Sequence, residues 1–340
     1  MSTRVEANRA ALTEETPALT YRDAIRAALE DELSSDPAVL FLGEDVANEG
    51  GVFKTSVGLV EQFGPQRVRN TPICENGFLG VALGMALTGL RPVVEIMFSD
   101  FLPTAGDAIV NELPKFRFMS GGQCHVPLTI RSIGGGTGRF GTQHSATGES
   151  WFIGLPGLKV ATASSPALAY GVLRAAIREN DPVLFFEHKG LYGRKAPVAR
   201  GEEALATVGR ATILRRGSDV TILSTLLMAD RSAEAAVLLA DEGIDVELVD
   251  PTWLRPLDMD TIAASVEKTG RLLVVEEQVH AGGWGATVIS RLVTAGAGFV
   301  TPPRALSLPE NLLVPYSPQL EDALLPTPES IAAAARTLLG

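Results

Sequence analysis

Short apolar runs and longer helical patterns alternate along most of the chain. VLFLGED (39–45), PVVEIMF (92–98) and PVLFFEH (182–188) each contain a nearly unbroken hydrophobic stretch, which is typical of strands buried on both faces of a parallel sheet. Segments with apolar residues three and four positions apart lie between such runs and indicate amphipathic helices. The alternation predicts an α/β fold built on parallel sheets.

This alternation is interrupted near residue 200. The stretch KGLYGRKAPVARGEEALATVG (189–209) is polar and has no strong periodicity, and a second α/β series begins at DVTILST (219–225). We therefore predict two α/β domains joined by a linker and preceded by a mobile arm. The predicted arm, first domain, linker and second domain are residues 1–18, 19–195, 196–210 and 211–340.

One predicted helix has apolar residues on nearly every side. GFLGVALGMALTGL (77–90) is shorter than the roughly 20 residues that span a membrane. We therefore expect a helix buried in protein. The first residues of the chain contain no apolar core of the kind that defines a secretory signal.

Composition narrows the class of protein. The net charge of −11 and the pI near 5.0 disfavour a nucleic-acid partner, because such a surface repels phosphate. Two cysteines, Cys74 and Cys124, are too few for a disulfide framework, and we expect both to be small buried hydrophobes. The sequence thus predicts an acidic cytoplasmic protein with no membrane or nucleic-acid partner.

Glycine is concentrated in IRSIGGGTGRFGTQHSATGES (130–150), which contains the spacing G-x-G-x-x-G. A dinucleotide site also requires a helix directly after the turn and an acid about 20 residues further on. Neither follows here, because glycines and a proline interrupt the next residues and the next strand ends in Ala-Ser-Ser. Five glycines within residues 134–141 instead indicate close approach to a ligand or partner, or alternatively a flexible surface loop.

Four segments together resemble a known family. They are LGEDV (42–46), TPICENGFLGVALGMALTGLRPVVEIMFSDF (71–101), GTQHS (141–145) and PGLKV (156–160), and WLRPLD and VVEEQVHAGGWGATV follow in the second domain. The chain resembles the β subunit of thiamine-diphosphate-dependent 2-oxo acid dehydrogenases. This subunit belongs to the decarboxylase component of the pyruvate, branched-chain and acetoin dehydrogenase complexes.

The resemblance implies a domain that binds the cofactor's pyrimidine, followed by a transketolase-like C-terminal domain. It also implies a heterotetramer of two α and two β chains that delivers its acyl product to a lipoyl acyltransferase. In this family Mg²⁺ holds the cofactor's diphosphate through a Gly-Asp-Gly motif and a downstream Asn pair, and this sequence has neither. The α subunit would therefore hold the Mg²⁺, and the two chains would share the thiamine diphosphate.

Glu75 matches the essential glutamate of the family in TPICENGF. Its implied role is to hydrogen-bond a pyrimidine ring nitrogen, which favours the tautomer that takes a proton from the reacting carbon. Burial at the start of an apolar helix would raise its pKa and support proton sharing. The alternative is an acid that only favours a helix N-terminus.

His144 matches the family histidine that follows the glycine-rich segment. Its implied role is to orient or protonate groups near the reacting centre, which suits a side chain with an ordinary pKa near 6.5. Many relatives carry Gln two residues later, whereas this chain has Ala146. Contacts to the substrate are therefore less determined by the resemblance than contacts to the cofactor.

Further positions follow from the resemblance alone. Ile73, Met97 and Phe101 match residues that pack near the pyrimidine, although Met97 is also a good core residue. Glu44 matches an acid associated with proton communication between two active sites, or is simply a solvated acid at the end of a strand. A monovalent cation such as K⁺ would bind backbone carbonyls at Leu128, Ala176, Ile177, Glu179 and Asp181.

These observations predict a β subunit for thiamine-dependent oxidative decarboxylation with reductive acylation of a lipoyl domain. Pyruvate is the favoured substrate, and acetoin and branched-chain 2-oxo acids are the alternatives within the family. A noncatalytic assembly subunit with the same fold is the alternative from another class, and intact Glu75 and His144 argue against it.

Overall fold

The structure is a computed structural model that describes residues 16–340. Most of the predicted arm, residues 1–15, lies outside the described residues. The strands are β1 Ala18–Thr20, β2 Val39–Gly43, β3 Val68–Asn70, β4 Arg91–Ile96, β5 Thr129–Gly134, β6 Lys159–Thr162, β7 Val183–His188, β8 Lys195–Pro197, β9 Thr212–Arg215, β10 Val220–Ser224, β11 Val246–Asp250, β12 Trp253–Arg255, β13 Leu272–Val279 and β14 Arg304–Leu308.

Helices connect most of these strands. The α-helices are α1 Tyr21–Ser35, α2 Leu59–Phe63, α3 Glu75–Leu87, α4 Phe116–Met119, α5 Glu149–Phe152, α6 Pro166–Arg178, α7 Leu226–Ala240, α8 Met259–Thr269, α9 Trp284–Thr294, α10 Pro318–Leu324 and α11 Pro328–Arg336. Shorter 3₁₀ and π segments are Ser99–Ala105, Ala108–Glu112, Thr142–His144, Lys189–Leu191 and Glu202–Ala204.

The first sheet has the strand order β12-β6-β7-β5-β4-β2-β3. Its strands run parallel except for β12, which comes from the second half of the chain and pairs antiparallel with β6. Helices α1 and α6 cover one face, and α3 lies on the other. This confirms the predicted parallel α/β architecture and adds one strand that crosses from the second domain.

The second sheet has the order β14-β13-β10-β11-β9, with β9 as its antiparallel edge. Helices α7 and α11 pack on one face and α8 and α9 on the other. Both hydrophobic clusters of the molecule contain residues of both sheets' domains. The two domains therefore share a continuous apolar boundary.

Local sequence signals account for the positions of two helices. The Thr20 hydroxyl accepts the backbone N–H of Asp23 at 3.1 Å and caps α1. The Ser165 hydroxyl caps α6 in the same way, and Pro166 takes the first helical position, where a missing N–H costs nothing. Thr followed three residues later by Asp, and Ser followed by Pro, are both typical sequence signals for the start of a helix.

The predicted linker at 196–210 begins inside ordered structure. β8, the last strand of the first domain, pairs antiparallel with β1, which is its first strand. The Val198 N–H also donates to the Pro17 carbonyl at 3.0 Å. The chain is thus held at the first domain before it passes to the second.

The expectation that the apolar helix is surrounded by protein is wrong within this chain. The side of α3 that carries Phe78 and Leu79 is buried, but Gly80, Val81 and Gly84 are exposed, with Val81 at 57%. Cys74, expected to be buried, is exposed beside them. Apolar composition shows that a face avoids water, whereas which molecule covers that face depends on the assembly.

The chain from Phe101 to Pro114 does not form one regular α-helix. A 3₁₀ segment at Ser99–Ala105 contains Pro103, and a π segment at Ala108–Glu112 follows. Proline supplies no amide hydrogen, so the regular α pattern does not continue through this position.

Candidate active site

The candidate site lies at the carboxyl edge of the first sheet. The chain passes from β2 outward to β3 and then returns across β2 to form β4, so the strand order reverses at this pair. Open α/β sheets bind ligands in the crevice at such a reversal. Glu44 directly follows β2, Met97 directly follows β4, and Glu75 begins the helix after β3.

Glu44 and Glu75 are close enough to repel each other electrostatically. Burial raises the pKa of Glu44 above its usual range, and the charges of Glu75 and Asp45 raise it further. Two carboxylates that share a site repel each other, so they favour a proton or a hydrogen-bond donor bound between them. The structure thus brings together these two predicted site residues.

Glu75 occupies the first turn of α3, where the helix dipole favours a negative charge. Its side chain is partly exposed, so the burial expected from the sequence is incomplete within this chain. Among residues 16–340, no group hydrogen-bonds its carboxylate. The carboxylate is therefore available to a ligand or to a partner chain.

His144 ends the short 3₁₀ turn at 142–144 and packs against two aromatic rings. Its ring centroid lies 4.8 Å from that of Phe98 and 5.5 Å from that of Phe101, and both contacts are edge-on. Phe101 therefore lies beside His144. Phe98 was missed by sequence reasoning, although it directly follows Met97.

Met97 and Ile73 differ in their surroundings. Met97 is half-buried at the end of β4, next to the aromatic pair. Ile73 is 83% exposed and lies two residues before the start of α3. An apolar side chain this exposed is suited to contact with a ligand or another chain.

Two glycines of the glycine-rich segment allow close approach to other groups. Gly135 has φ of +86°, and a Cβ there would lie 1.8 Å from Nε2 of His188. Gly141 has φ of +72°, and a Cβ there would lie 2.3 Å from the ring of Tyr316. The segment is therefore a packed loop, and the alternative of a flexible surface loop is wrong.

The second domain holds this loop through Glu277 at the end of β13. One carboxylate oxygen accepts the Gly136 N–H at 2.6 Å, and the other lies 2.9 Å from Nε2 of His188. The Glu277 carbonyl accepts the Thr147 hydroxyl at 2.5 Å. Burial opposes the charge of Glu277, yet the contacts with His188 and Gly136 hold its pKa below the usual range.

The Gly190 N–H donates to Nδ1 of His188 at 3.1 Å, which leaves Nε2 as the donor to Glu277. The pairing links the end of β7 to the end of β13. The sequence did not identify His188 or Glu277 as candidate site residues. The available signal was that both lie near the carboxyl ends of predicted strands.

A second carboxyl group at the boundary is held in its neutral form. Burial raises the pKa of Glu149 to about 8, and the charges of Glu277 and Glu276 act in the same direction. The Gln278 side-chain amide donates to Glu149 at 2.6 Å. The loop thus carries a buried acid that binds a proton near neutral pH.

Ala146, where the sequence departs from many relatives, is fixed through its backbone. Its N–H donates to Asp100 at 3.1 Å, and its carbonyl accepts the Gly135 N–H at 3.2 Å. A different side chain at this position would therefore project from the same backbone.

Four of the five carbonyls predicted to bind a cation already accept hydrogen bonds. The Arg91 guanidinium donates to the carbonyls of Ile177 at 3.3 Å and Glu179 at 2.9 Å. The carbonyls of Leu128 and Ala176 accept backbone N–H groups at 2.9 Å and 3.2 Å. The Asp181 side chain pairs with Lys159 and Arg117.

A carbonyl oxygen has a second lone pair, so the cation site stays a prediction. Within the described part of the chain, no cluster of His, Cys, Asp and Glu side chains is arranged to hold a metal ion. Over the same residues, no helix combines the length and apolar character that crossing a membrane requires.

Comparison with protein-family models matches both halves of the chain. Residues 17–195 match the model "Transketolase, pyrimidine binding domain", and residues 209–331 match "Transketolase, C-terminal domain". A solved structure described as a split gene transketolase, inactive beta4 tetramer, has the same fold with a TM-score of 0.78. It is 24% identical in sequence and the match covers 94% of this chain and 98% of that one.

Curated relatives match over nearly the full length. The β subunit of acetoin:2,6-dichlorophenolindophenol oxidoreductase from Cupriavidus necator is 40% identical, over 94% of this chain and 96% of the relative. The mitochondrial pyruvate dehydrogenase E1 component subunit beta-1 from Arabidopsis thaliana is also 40% identical, over 94% and 88%.

The two α/β domains, each matched by a transketolase domain model, define a transketolase-like protein. The chain belongs to the family of transketolase-like β subunits that includes these pyruvate dehydrogenase and acetoin oxidoreductase chains. This confirms the resemblance identified from the sequence.

Proposed function

We propose that this chain is the β subunit of a 2-oxo acid dehydrogenase decarboxylase component, with pyruvate as its substrate. The reaction is oxidative decarboxylation with transfer of the acyl group to a lipoyl domain. The observation that carries the proposal is the closeness of two acidic side chains at the reversal of the first sheet. The charge of Glu75 helps to raise the pKa of Glu44 there. Acetoin and branched-chain 2-oxo acids remain the alternative substrates.

The residues at this edge fit thiamine diphosphate. Glu75 offers an unpartnered carboxylate to a ring N–H, and Glu44 beside it has a raised affinity for protons. Phe101 and Met97 offer apolar surface, and Ile73 offers an exposed side chain on the same approach. A flat heteroaromatic ring with polar nitrogens needs this combination of groups.

The chemistry that thiamine diphosphate supplies when bound is attack on a keto carbon and stabilisation of the electron pair left when CO₂ departs. Glu75 would hold a proton at the ring nitrogen that it contacts and so act as the acid–base group of this chain. His144, fixed against Phe98 and Phe101, would orient or protonate groups of the substrate.

The site requires a second chain. Glu75 and Ile73 lie beside an exposed apolar face of α3, and this chain lacks the Gly-Asp-Gly motif for the diphosphate. An α subunit would cover this face and supply the Mg²⁺ ligands, in a heterotetramer of two α and two β chains. The lipoyl acyltransferase would then accept the product. K⁺ bound at the carbonyls near Ile177 is a further part of this proposal.

The Glu75→Gln variant tests the proposal. Reconstituted with its α subunit, it should lose more than about 100-fold in decarboxylation rate, because an amide cannot exchange the proton that the carboxyl group holds. Dye reduction with pyruvate measures the rate, and gel filtration shows whether pairing is retained. Near-normal turnover would refute the role of Glu75.

The same dye-reduction assay separates the substrates and the alternative class. Pyruvate, branched-chain 2-oxo acids and acetoin are compared at equal concentration with the wild-type complex. If kcat/KM is highest for pyruvate, pyruvate is supported as the substrate. If kcat/KM is higher for another compound, that compound replaces pyruvate in the proposal. If every candidate α subunit pairs with the chain but none gives turnover, the noncatalytic assembly role is favoured.

A further inference from the structure

Lys189 directly follows the last residue of β7 and extends toward the turn that carries His144. Its ammonium donates to the His144 carbonyl. The same nitrogen lies 5.2 Å from the ring centroid of Phe140 and 5.7 Å from that of Phe98. The ammonium therefore contacts the backbone of His144 and lies near the Phe98 ring, against which the His144 imidazole packs.

Three carboxylates face this ammonium from different elements. They are Asp100 in the 3₁₀ segment after β4, Glu277 at the end of β13, and Glu321 in α10. Each already accepts a hydrogen bond from another group, and Arg139 of the glycine-rich loop pairs with Glu321. Within residues 16–340, Lys189 forms no ion pair of its own.

This environment is unusual for a lysine side chain. Burial lowers the pKa of Lys189 to about 8, and the three carboxylates oppose that shift only in part. A charge removed from water without an ion-pair partner is costly, so other contacts of the ammonium must offset that cost. Its hydrogen bond to a carbonyl and its position near two aromatic rings are the interactions that retain it.

We propose that Lys189 is a positioning residue that fixes the turn at 142–144 and thereby sets the position of the His144 imidazole. Its effect on catalysis rests on the proposed function, whereas its effect on the turn does not. Loss of the ammonium would free the His144 carbonyl and weaken the contact with Phe98. A displacement of about 1 Å in a reacting group can reduce a rate about 100-fold.

The charge also makes the turn sensitive to pH. Below about pH 8 the ammonium is protonated and donates strongly to the carbonyl. Above this value the neutral amine is a weaker donor and no longer attracts the ring faces. We therefore expect the turn to loosen, and activity to fall, as the pH rises through about 8.

Hydrogen exchange in the full-length chain tests the positioning role without activity. Lys189→Met should speed exchange of the amides of residues 141–146 by at least about tenfold, because a charge-assisted hydrogen bond is lost. Lys189→Arg should stay near the wild type, and Lys195→Met, at an exposed lysine, is the matched control. Unchanged exchange in Lys189→Met, with an unchanged melting temperature, overturns the inference.

Kinetics of the reconstituted complex then test the catalytic consequence. Lys189→Met should lower kcat/KM for the substrate about 100-fold and remove the fall in activity above about pH 8 from the pH–rate profile. Lys189→Arg should shift that fall to higher pH. If the wild-type complex is inactive on all candidate substrates, the proposed function fails and the exchange result still decides the role of Lys189. If it is active and Lys189→Met matches it, the inference fails and the function stands.

Discussion

Glu149 is a buried carboxyl group at the start of α5, where the Gln278 side chain of the second domain contacts it. Its pKa of about 8 means that the folded chain holds a proton there at a pH where the unfolded chain has released it. Folding therefore takes up a proton between about pH 4.5 and 8. The stability of the folded chain falls as the pH rises through this window.

Glu149→Gln should remove this dependence, because the amide has a similar shape and no proton to lose. The free energy of unfolding of the wild type relative to the variant should fall by up to about 1.4 kcal/mol per pH unit between about pH 5 and 8. Urea titration at several pH values measures it. The exposed Glu310→Gln is the control and should show a constant difference, and a constant difference for Glu149→Gln would contradict the prediction.

At the scale of the elements, three neighbouring strands place charged groups together inside the first sheet. The Arg131 guanidinium of β5 pairs with Glu95 of β4 at 2.7 Å and with Glu187 of β7 at 2.7 Å, and all three are buried. Burial raises the pKa of Glu95, with the neighbouring Glu187 acting in the same direction. Tyr192 donates to Glu187 at 2.8 Å.

Arg131→Met should therefore lower the free energy of unfolding by about 3–5 kcal/mol, since two buried carboxylates lose their cation. Arg336→Met is the control, because its ion pair with Glu242 is about half exposed and should contribute less than about 1 kcal/mol. Urea titration of both variants gives the comparison. Equal losses would mean that the buried network does not stabilise the sheet.

At the scale of the whole molecule, a substitution on the exposed face of α3 should affect assembly with a partner chain without affecting folding. A Cβ at Gly80 meets no atom within 4 Å in this chain, so a larger side chain fits the isolated fold. Gly80→Leu should raise helix propensity by about 0.5–1 kcal/mol and leave the chain folded. It should nevertheless prevent pairing with the α subunit that we propose covers this face.

Co-purification with a tagged α subunit measures pairing, and circular dichroism measures folding. Ala333→Leu, at an exposed position of α11, is the matched control and should pair normally. If Gly80→Leu pairs as well as the control, the α3 face is not the interface.

Sequence patterns identified the long elements but not the ones that join the domains. The buried runs at β2, β4 and β7, and the caps Thr20 and Ser165, were predictable because their signals are local. β12 was not, because a three-residue strand gains its stability from pairing with β6 of the other domain. The exposed side of α3 could not be inferred, since hydrophobicity does not specify what covers it.

For the candidate site, too, some features follow from the sequence and others only from the tertiary structure. The sequence by itself determined the fold class and the family, because these depend on order along the chain, and the same order predicts Glu75 and His144 as site residues. Tertiary structure alone decided that Glu44 lies near Glu75, that Glu277 holds the glycine-rich loop, and that Lys189 contacts His144. These contacts join residues distant in sequence, and their energies arise from burial and charge that exist only after the chain has folded, and for Glu277 only after the two domains have packed together.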